Sequence, residues 1–301
     1  MSAVSAVEVR RGMVAALIAF GTWGIYPIFF KQLAGLSPEA ILAWRVIWSF
    51  ALVAMLFLLV SRLRIPWQKL RSLRQWGLIL LAAMLVSTNW FVFIYTVSIG
   101  EVLQASLGYF LNPTISALIG VLIFKERLCR LKQSSVAVAI IGMTITFMVA
   151  GVLPVYSLVM ATSFALYTAI RKRSVLDSAT GLYMETLLLV PVAVAYLWLT
   201  PIEPQTFEPV TAFWLITSGA LTLLPLLSVV YASKRIPLST LGLFQYIAPS
   251  MHLFIAVGLY NETLDQSRIM AFTTTLLAVG LFTAGIIREH SRDRTNLYAR
   301  P

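Results

Sequence analysis

Apolar runs of membrane-crossing length fill this chain almost end to end. Ten can be marked out, at 12–33, 39–60, 75–98, 103–124, 131–150, 152–171, 179–199, 210–233, 238–260 and 267–288. Each approaches the ~20 residues that carry a helix across a ~30 Å hydrocarbon core. Lipid cannot satisfy a free backbone N–H or C=O, so such runs must be helices. The expected fold is an all-α membrane protein with ten transmembrane helices, and no stretch is left over for a soluble domain. Composition agrees: 12% of residues are charged, against about 25% in a soluble domain.

The net charge of +11 raises the question of nucleic acid, but its placement answers otherwise. Twenty of the 23 Lys and Arg residues fall at the termini or in alternate loops. They are Arg10 and Arg11; Arg62, Arg64, Lys69, Arg71 and Arg74; Lys125, Arg127, Arg130 and Lys132; Arg171, Lys172 and Arg173; Lys234 and Arg235; and Arg288, Arg292, Arg294 and Arg300. The opposite loops hold Lys31 and Arg268. This is the positive-inside bias, with both termini cytoplasmic. It accounts for the basic excess without a nucleic-acid partner. Arg10-Arg11 before an apolar run resembles a twin-arginine signal, but the run exceeds a signal's apolar region and no clear cleavage site follows, so it reads as a first helix. Cys129 stands alone, which leaves no intrachain disulfide and no multi-cysteine metal site.

One pattern occurs twice. "FLNPTISALIGVLIFKERL" (110–128) sets Pro113 thirteen residues before Glu126, and "YIAPSMHLFIAVGLYNETL" (246–264) sets Pro249 thirteen before Glu262. More weakly, "TWGIYPIFFK" (22–31) lies over "SFALYTAIRK" (163–172). Five helices per half is an odd number, so the second half enters the membrane from the other side. The expectation is two inverted five-helix repeats, 1–150 and 151–301, the second with a short cytoplasmic tail, an architecture of many secondary transporters. Glu126 then lies at the inner face and Glu262 at the outer. A proline inside a helix lacks an N–H and frees the carbonyl four residues earlier. Pro113 and Pro249 are therefore candidate helix breaks, freeing Tyr109 and Gln245. Broken helices survive in lipid where protein or a cavity covers the backbone.

Polar side chains within the apolar runs fall at helical spacing. The fourth run shows Tyr109, Asn112, Ser116 and Gly120; the ninth shows Gln245, Pro249 and His252, next to Tyr246. Trp23, Tyr26, Pro27 and Phe30 share a face of the first, Asn89, Trp90 and Phe93 occupy the third, and Phe164 and Tyr167 the sixth. Aromatics at such spacing are commonly packing, and single Asn or Ser residues bridge helices. Taken together they suit a cavity for a small amphipathic molecule. Trp23, Tyr26, Arg45, Asn89, Trp90, Tyr109, Asn112, Tyr167, Gln245 and Tyr246 are the candidate substrate-binding residues.

Two ionisable residues lie about 9 Å deep, from opposite surfaces: Arg45 in the second run and Glu185 in the seventh. Their Cα levels are ~12 Å apart, so a direct pair is disfavoured. Arg45 stays charged and can anchor an anionic group. Glu185 and His252 are the candidates for carrying a coupling proton. No cofactor or metal is called for, and no paired-Asp, HExxH or Ser–His constellation marks an enzyme. A channel would need rings of carbonyls or charges.

These stretches also resemble a known family. "TWGIYPIFFK", "RVIWSF" (45–50), "QASLGYFLNP" (104–113), "METLLLVPVA" (184–193) and "STLGLFQYIAP" (239–249) are similar to the EamA branch of the drug/metabolite transporter superfamily, and within it to the RarD-type permeases, over nearly the whole chain. The resemblance implies a permease of the bacterial inner membrane with a central cavity between two repeats, working in lipid as a monomer or homodimer on a small-molecule substrate, and favours export. Relatives often carry glutamate where this chain has Gln104, which weakens any coupling role there.

Overall fold

A computed structural model describes residues 6–60, 67–70, 72–125, 128–151, 153–233, 235–236 and 238–298. Most of these residues are helical, with no β-strand among them. The helices are α1 (Ala6–Gly24), α2 (Tyr26–Lys31), α3 (Pro38–Leu59), α4 (Leu73–Ser98), α5 (Val102–Phe124), α6 (Arg130–Ala150), α7 (Val155–Arg173), α8 (Ser178–Leu199), α9 (Pro209–Ser233), α10 (Leu238–Phe244), α11 (Ile247–Gly258) and α12 (Gln266–Tyr298). Eight segments among the described residues are long and apolar enough to cross a membrane: α1 with α2, then α3, α4, α5, α6, α8, α9 and α12. The protein is an all-α, multi-pass membrane protein. The runs expected at 152–171 and 238–260 are helical too. However, α7 ends in Arg171, Lys172 and Arg173, and the other run is split into α10 and the 12-residue α11.

The breaks are not all where the prolines suggested. Pro113 interrupts nothing: α5 continues through it from Val102 to Phe124. A membrane helix tolerates such a proline where neighbouring helices cover the freed backbone. Pro249 lies in the first turn of α11, just after the break at Gln245–Tyr246, where a missing N–H costs nothing. Pro27 does the same in α2, after a break at Ile25. Glu126 and Arg127 lie outside the described residues, as do Arg62, Arg64, Arg71, Lys234 and Arg300.

Small residues let the helices approach. A Cβ on Gly219 of α9 would lie 2.6 Å from the carbonyl carbon of Trp48 in α3, and one on Gly108 of α5 would lie 2.9 Å from the carbonyl oxygen of Ser157 in α7. Ser135 of α6 donates to the carbonyl of Ala278 in α12 at 2.7 Å. The main pairings are α1 with α9 and α11, α3 with α8 and α9, α4 with α7 and α8, α5 with α7, α11 and α12, and α6 with α12. Around them Leu58, Trp198, Leu199, Leu122 and Phe254 stand exposed, as side chains facing lipid rather than water do.

Connecting segments meet in two groups. Glu262 accepts from the backbone N–H of Val102 at 2.7 Å and of Leu103 at 2.9 Å. It thereby caps α5, whose own N-cap residue, Glu101, makes no side-chain cap; a carboxylate there also favours the helix dipole. Arg268 pairs with Glu101 at 2.7 Å, Glu203 accepts from the N–H of Ser37 at 3.0 Å, and Lys31 lies over the ring of Tyr260. At the other end Arg235 pairs with Glu8 at 2.8 Å, and Arg173 reaches the carbonyl of Ile123 at 3.3 Å.

Candidate substrate-binding site

Aromatic side chains from five helices meet in the middle of the bundle. Tyr26 and Phe30 of α2 pack on Phe93 of α4 with ring centroids 6.0 and 5.9 Å away. Phe93 also meets Tyr109 of α5 at 6.1 Å and His252 of α11 at 5.4 Å. From Tyr109 the contacts run on to Phe164 of α7 at 6.5 Å and from there to Tyr167 at 6.0 Å. The large apolar side chains that fill these helices set the rings at this depth, and tilted and edge-on pairs are the favoured geometry.

Polar groups are threaded through this stack, and proline positions two of them. Pro27 leaves the carbonyl of Trp23 without its helical donor, and His252 Nε2 lies 2.9 Å from that oxygen. Pro225 of α9 does the same for Leu221, whose carbonyl accepts from the hydroxyl of Tyr26. Asn89 is buried and donates to the carbonyl of Met160 at 2.9 Å while accepting from the hydroxyl of Tyr109 at 3.3 Å. It thus ties α4 to α5 and α7.

The two deep ionisable residues do not meet. Arg45 is 3% exposed. Its Nε donates to Thr222 Oγ1 at 3.1 Å, and its guanidinium lies over Trp90 at 4.4 Å, Phe30 at 5.2 Å and Tyr26 at 5.3 Å. Glu185, 1% exposed, instead pairs with Arg171 at 3.5 Å and accepts from Tyr167 at 3.2 Å.

Sequence and structure now point the same way, and comparison with known proteins decides between families. The sequence model of the EamA-like transporter family matches residues 10–148. An uncharacterised transporter of Bacillus subtilis, YojE, is 39% identical over 92% of this chain and 94% of its own. Protein RarD of Salmonella typhimurium is 35% identical over 94% of this chain and 98% of its own. The chain belongs to the RarD-type branch of the EamA-like transporter family. A solved crystal structure 15% identical in sequence superposes with a TM-score of 0.59 over 91% of this chain and 97% of its own, which speaks to the fold alone.

In this RarD-type chain the structure brings together Tyr26, Arg45, Asn89, Trp90, Tyr109, Tyr167 and His252, with Trp23 contributing its carbonyl. It does not bring in the remaining candidates. Asn112 is half-buried and accepts from Ser116 at 3.4 Å. Gln245 is exposed. Tyr246 stacks on Phe110 at 6.4 Å, away from His252. Three partners were not visible beforehand. Thr222 and Leu221 sit in the eighth run, where Ser218, Thr222 and Pro225 share a face, and Arg171 read as a loop cation. Thr222 three residues before Pro225 was the available signal. A cavity of about 230 Å³ lined by Leu103, Gln104, Arg268 and Phe272 among others lies near the Glu101–Arg268 pair and contains none of the candidate residues.

Proposed function

We propose that this protein is a permease that moves a small amphipathic metabolite or drug across the bacterial inner membrane by alternating access, in the export direction. The observation that carries this reading is the buried aromatic site itself. It is built from α2, α3, α4 and α5 of the first half and from α7, α9 and α11 of the second, so a substrate there touches both halves. Two inverted five-helix units and ten crossings fit the helix pairings. Exchanging the halves turns the α1–α9 pairing into α7–α4, α3–α9 into α8–α4, and α5–α7 into α11–α1, all of which occur, while α3–α8 and α6–α12 map onto themselves; α5–α12 is the departure from this symmetry. The grouping of connecting segments fits alternation with both termini cytoplasmic, since 31, 37, 101–103, 203 and 260–268 gather at one end. Such a unit supplies inward-open and outward-open states of similar energy. Export follows the family, because a nearly symmetric pair of halves encodes no direction.

An enzyme fits less well, because the two deep ionisable residues Arg45 and Glu185 lie apart, Arg45 on Thr222 and Glu185 on Arg171 and Tyr167. A channel is separated by experiment. Purified protein in liposomes is expected to show counterflow of labelled substrate with no electrical conductance; single-channel currents without counterflow would replace the permease with a pore. The same reading has the protein in lipid as a monomer or homodimer, with no nucleic-acid partner.

A further inference from the structure

Arg45 is a cation buried in the middle of the bundle, and among the described residues no carboxylate lies within ion-pair distance of it. Among the described residues, its guanidinium hydrogen-bonds through Nε alone, to Thr222. Trp90, Phe30 and Tyr26 cover it with rings. Ring faces attract a cation, but they return only part of what its removal from water costs and supply no counter-charge. They also contact the flat faces of the group and leave the N–H donors on its edge unused. A guanidinium edge matches a planar oxyanion that takes two parallel hydrogen bonds.

A second, independent observation lies on the other side of Phe93. His252 is 1% exposed. The carbonyl of Trp23 only accepts, so the Nε2 that contacts it carries the hydrogen. In the neutral ring Nδ1 is then an acceptor. Nδ1 is buried and has no hydrogen-bond partner among the described residues. A buried acceptor without a donor is costly and rare. The rings of Tyr26, Phe93 and Tyr109 pack between these two unmet groups, so a ligand that reaches both lies against those rings.

We infer that the site takes a small monocarboxylate with a flat apolar body and one N–H or O–H donor, the carboxylate on the free edge of Arg45 and the donor on His252 Nδ1. One cation without a partner is balanced by one negative charge, which favours a monocarboxylate over a doubly charged phosphate. The inference names the substrate class for the permease reading above, and it rests on that reading for the site being on the transport path.

The test uses purified full-length protein in detergent and fluorescence titration with three probes of one shape. These are 4-aminobenzoate (carboxylate and donor), benzoate (carboxylate alone) and 4-aminobenzamide (donor, no charge). Wild-type protein is expected to bind 4-aminobenzoate about tenfold more tightly than 4-aminobenzamide and about fivefold more tightly than benzoate. Arg45→Gln should bring the carboxylate and the amide to within about twofold. Arg45→Lys, a point charge without the fork, should keep part of the preference, which shows that the loss in Arg45→Gln is chemical and not a folding defect. His252→Phe keeps an aromatic ring and removes both the donor to Trp23 and the Nδ1 acceptor. It should bring 4-aminobenzoate and benzoate to within about twofold of each other. The inference is overturned if neither carboxylate binds wild-type protein, or if the carboxylate preference survives in Arg45→Gln. A His252→Phe protein that still separates the two carboxylates removes His252 from the site. Counterflow of labelled 4-aminobenzoate is measured separately: tight, Arg45-dependent binding without exchange across liposomes would sink the permease reading and leave the ligand class standing.

Discussion

Asn89 makes plain what one polar side chain does in a membrane bundle. Its amide uses both ends, giving to Met160 of α7 and taking from Tyr109 of α5. Hydrogen bonds between membrane helices are worth about 0.6 kcal/mol on average and up to about 2. Asn89→Ala is therefore expected to lower the unfolding free energy by about 1 kcal/mol, read as an earlier midpoint in detergent-driven unfolding. Because Tyr109 loses its acceptor, substrate affinity should fall as well. Glu185 is tied to Arg171 and Tyr167, and it is the carboxylate well inside the apolar core. As one of the two candidates for carrying a coupling proton, it should leave Glu185→Gln able to exchange substrate but unable to accumulate it from a pH gradient alone. Accumulation that persists in that variant would make the residue a structural partner of Arg171 and nothing more.

Helix ends carry the next level. α8 begins at Asp177, whose carboxylate accepts from the backbone N–H of Thr180 at 2.9 Å and from its hydroxyl at 2.8 Å. Burial works against the charge on Asp177, but these hydrogen bonds outweigh it and hold the carboxyl below its ordinary value. For a carboxyl lowered in this way, the stabilisation is fully present above the ordinary aspartate range and is lost as pH falls through its own lower value. Asp177→Ala is expected to cost about 1 kcal/mol at neutral pH. The difference from wild type should vanish in strong acid, as followed by thermal unfolding in detergent; a pH-independent difference would mean the cap acts by shape alone. α5 is the contrasting case. It lacks a local cap and takes one from Glu262, 160 residues from Val102 in sequence, so its N-terminus is tied to the other half of the chain.

For the molecule as a whole, the arrangement of loops makes a labelling prediction. In a chain whose Cys129 has been replaced by serine, Lys31→Cys and Gln205→Cys should react with an impermeant maleimide applied to intact cells. Arg74→Cys should react only after permeabilisation. Reaction of position 205 only in permeabilised cells would remove the alternation of crossings that ten spans with cytoplasmic termini require.

The apolar runs by themselves settled that this is an all-α membrane protein, because lipid offers a backbone no other way to pair its N–H and C=O groups over such lengths. They also exposed Arg45, Asn89, Tyr109, Glu185 and His252, since a polar group in an apolar run must have a partner or a use. Who those partners are was decided by tertiary structure. Helical spacing predicts a shared face only within one continuous helix, and the break at Gln245–Tyr246 left Gln245 exposed and turned Tyr246 toward Phe110. Pro27 and Pro225 matter through carbonyls they free for side chains 195 and more residues away. Arg171 ends a helix yet folds back to Glu185 because its long side chain outreaches the position of its own Cα. Spacing along a chain records what lies within a few turns, whereas a charge or a carbonyl inside a bundle is satisfied by whichever helix packs beside it.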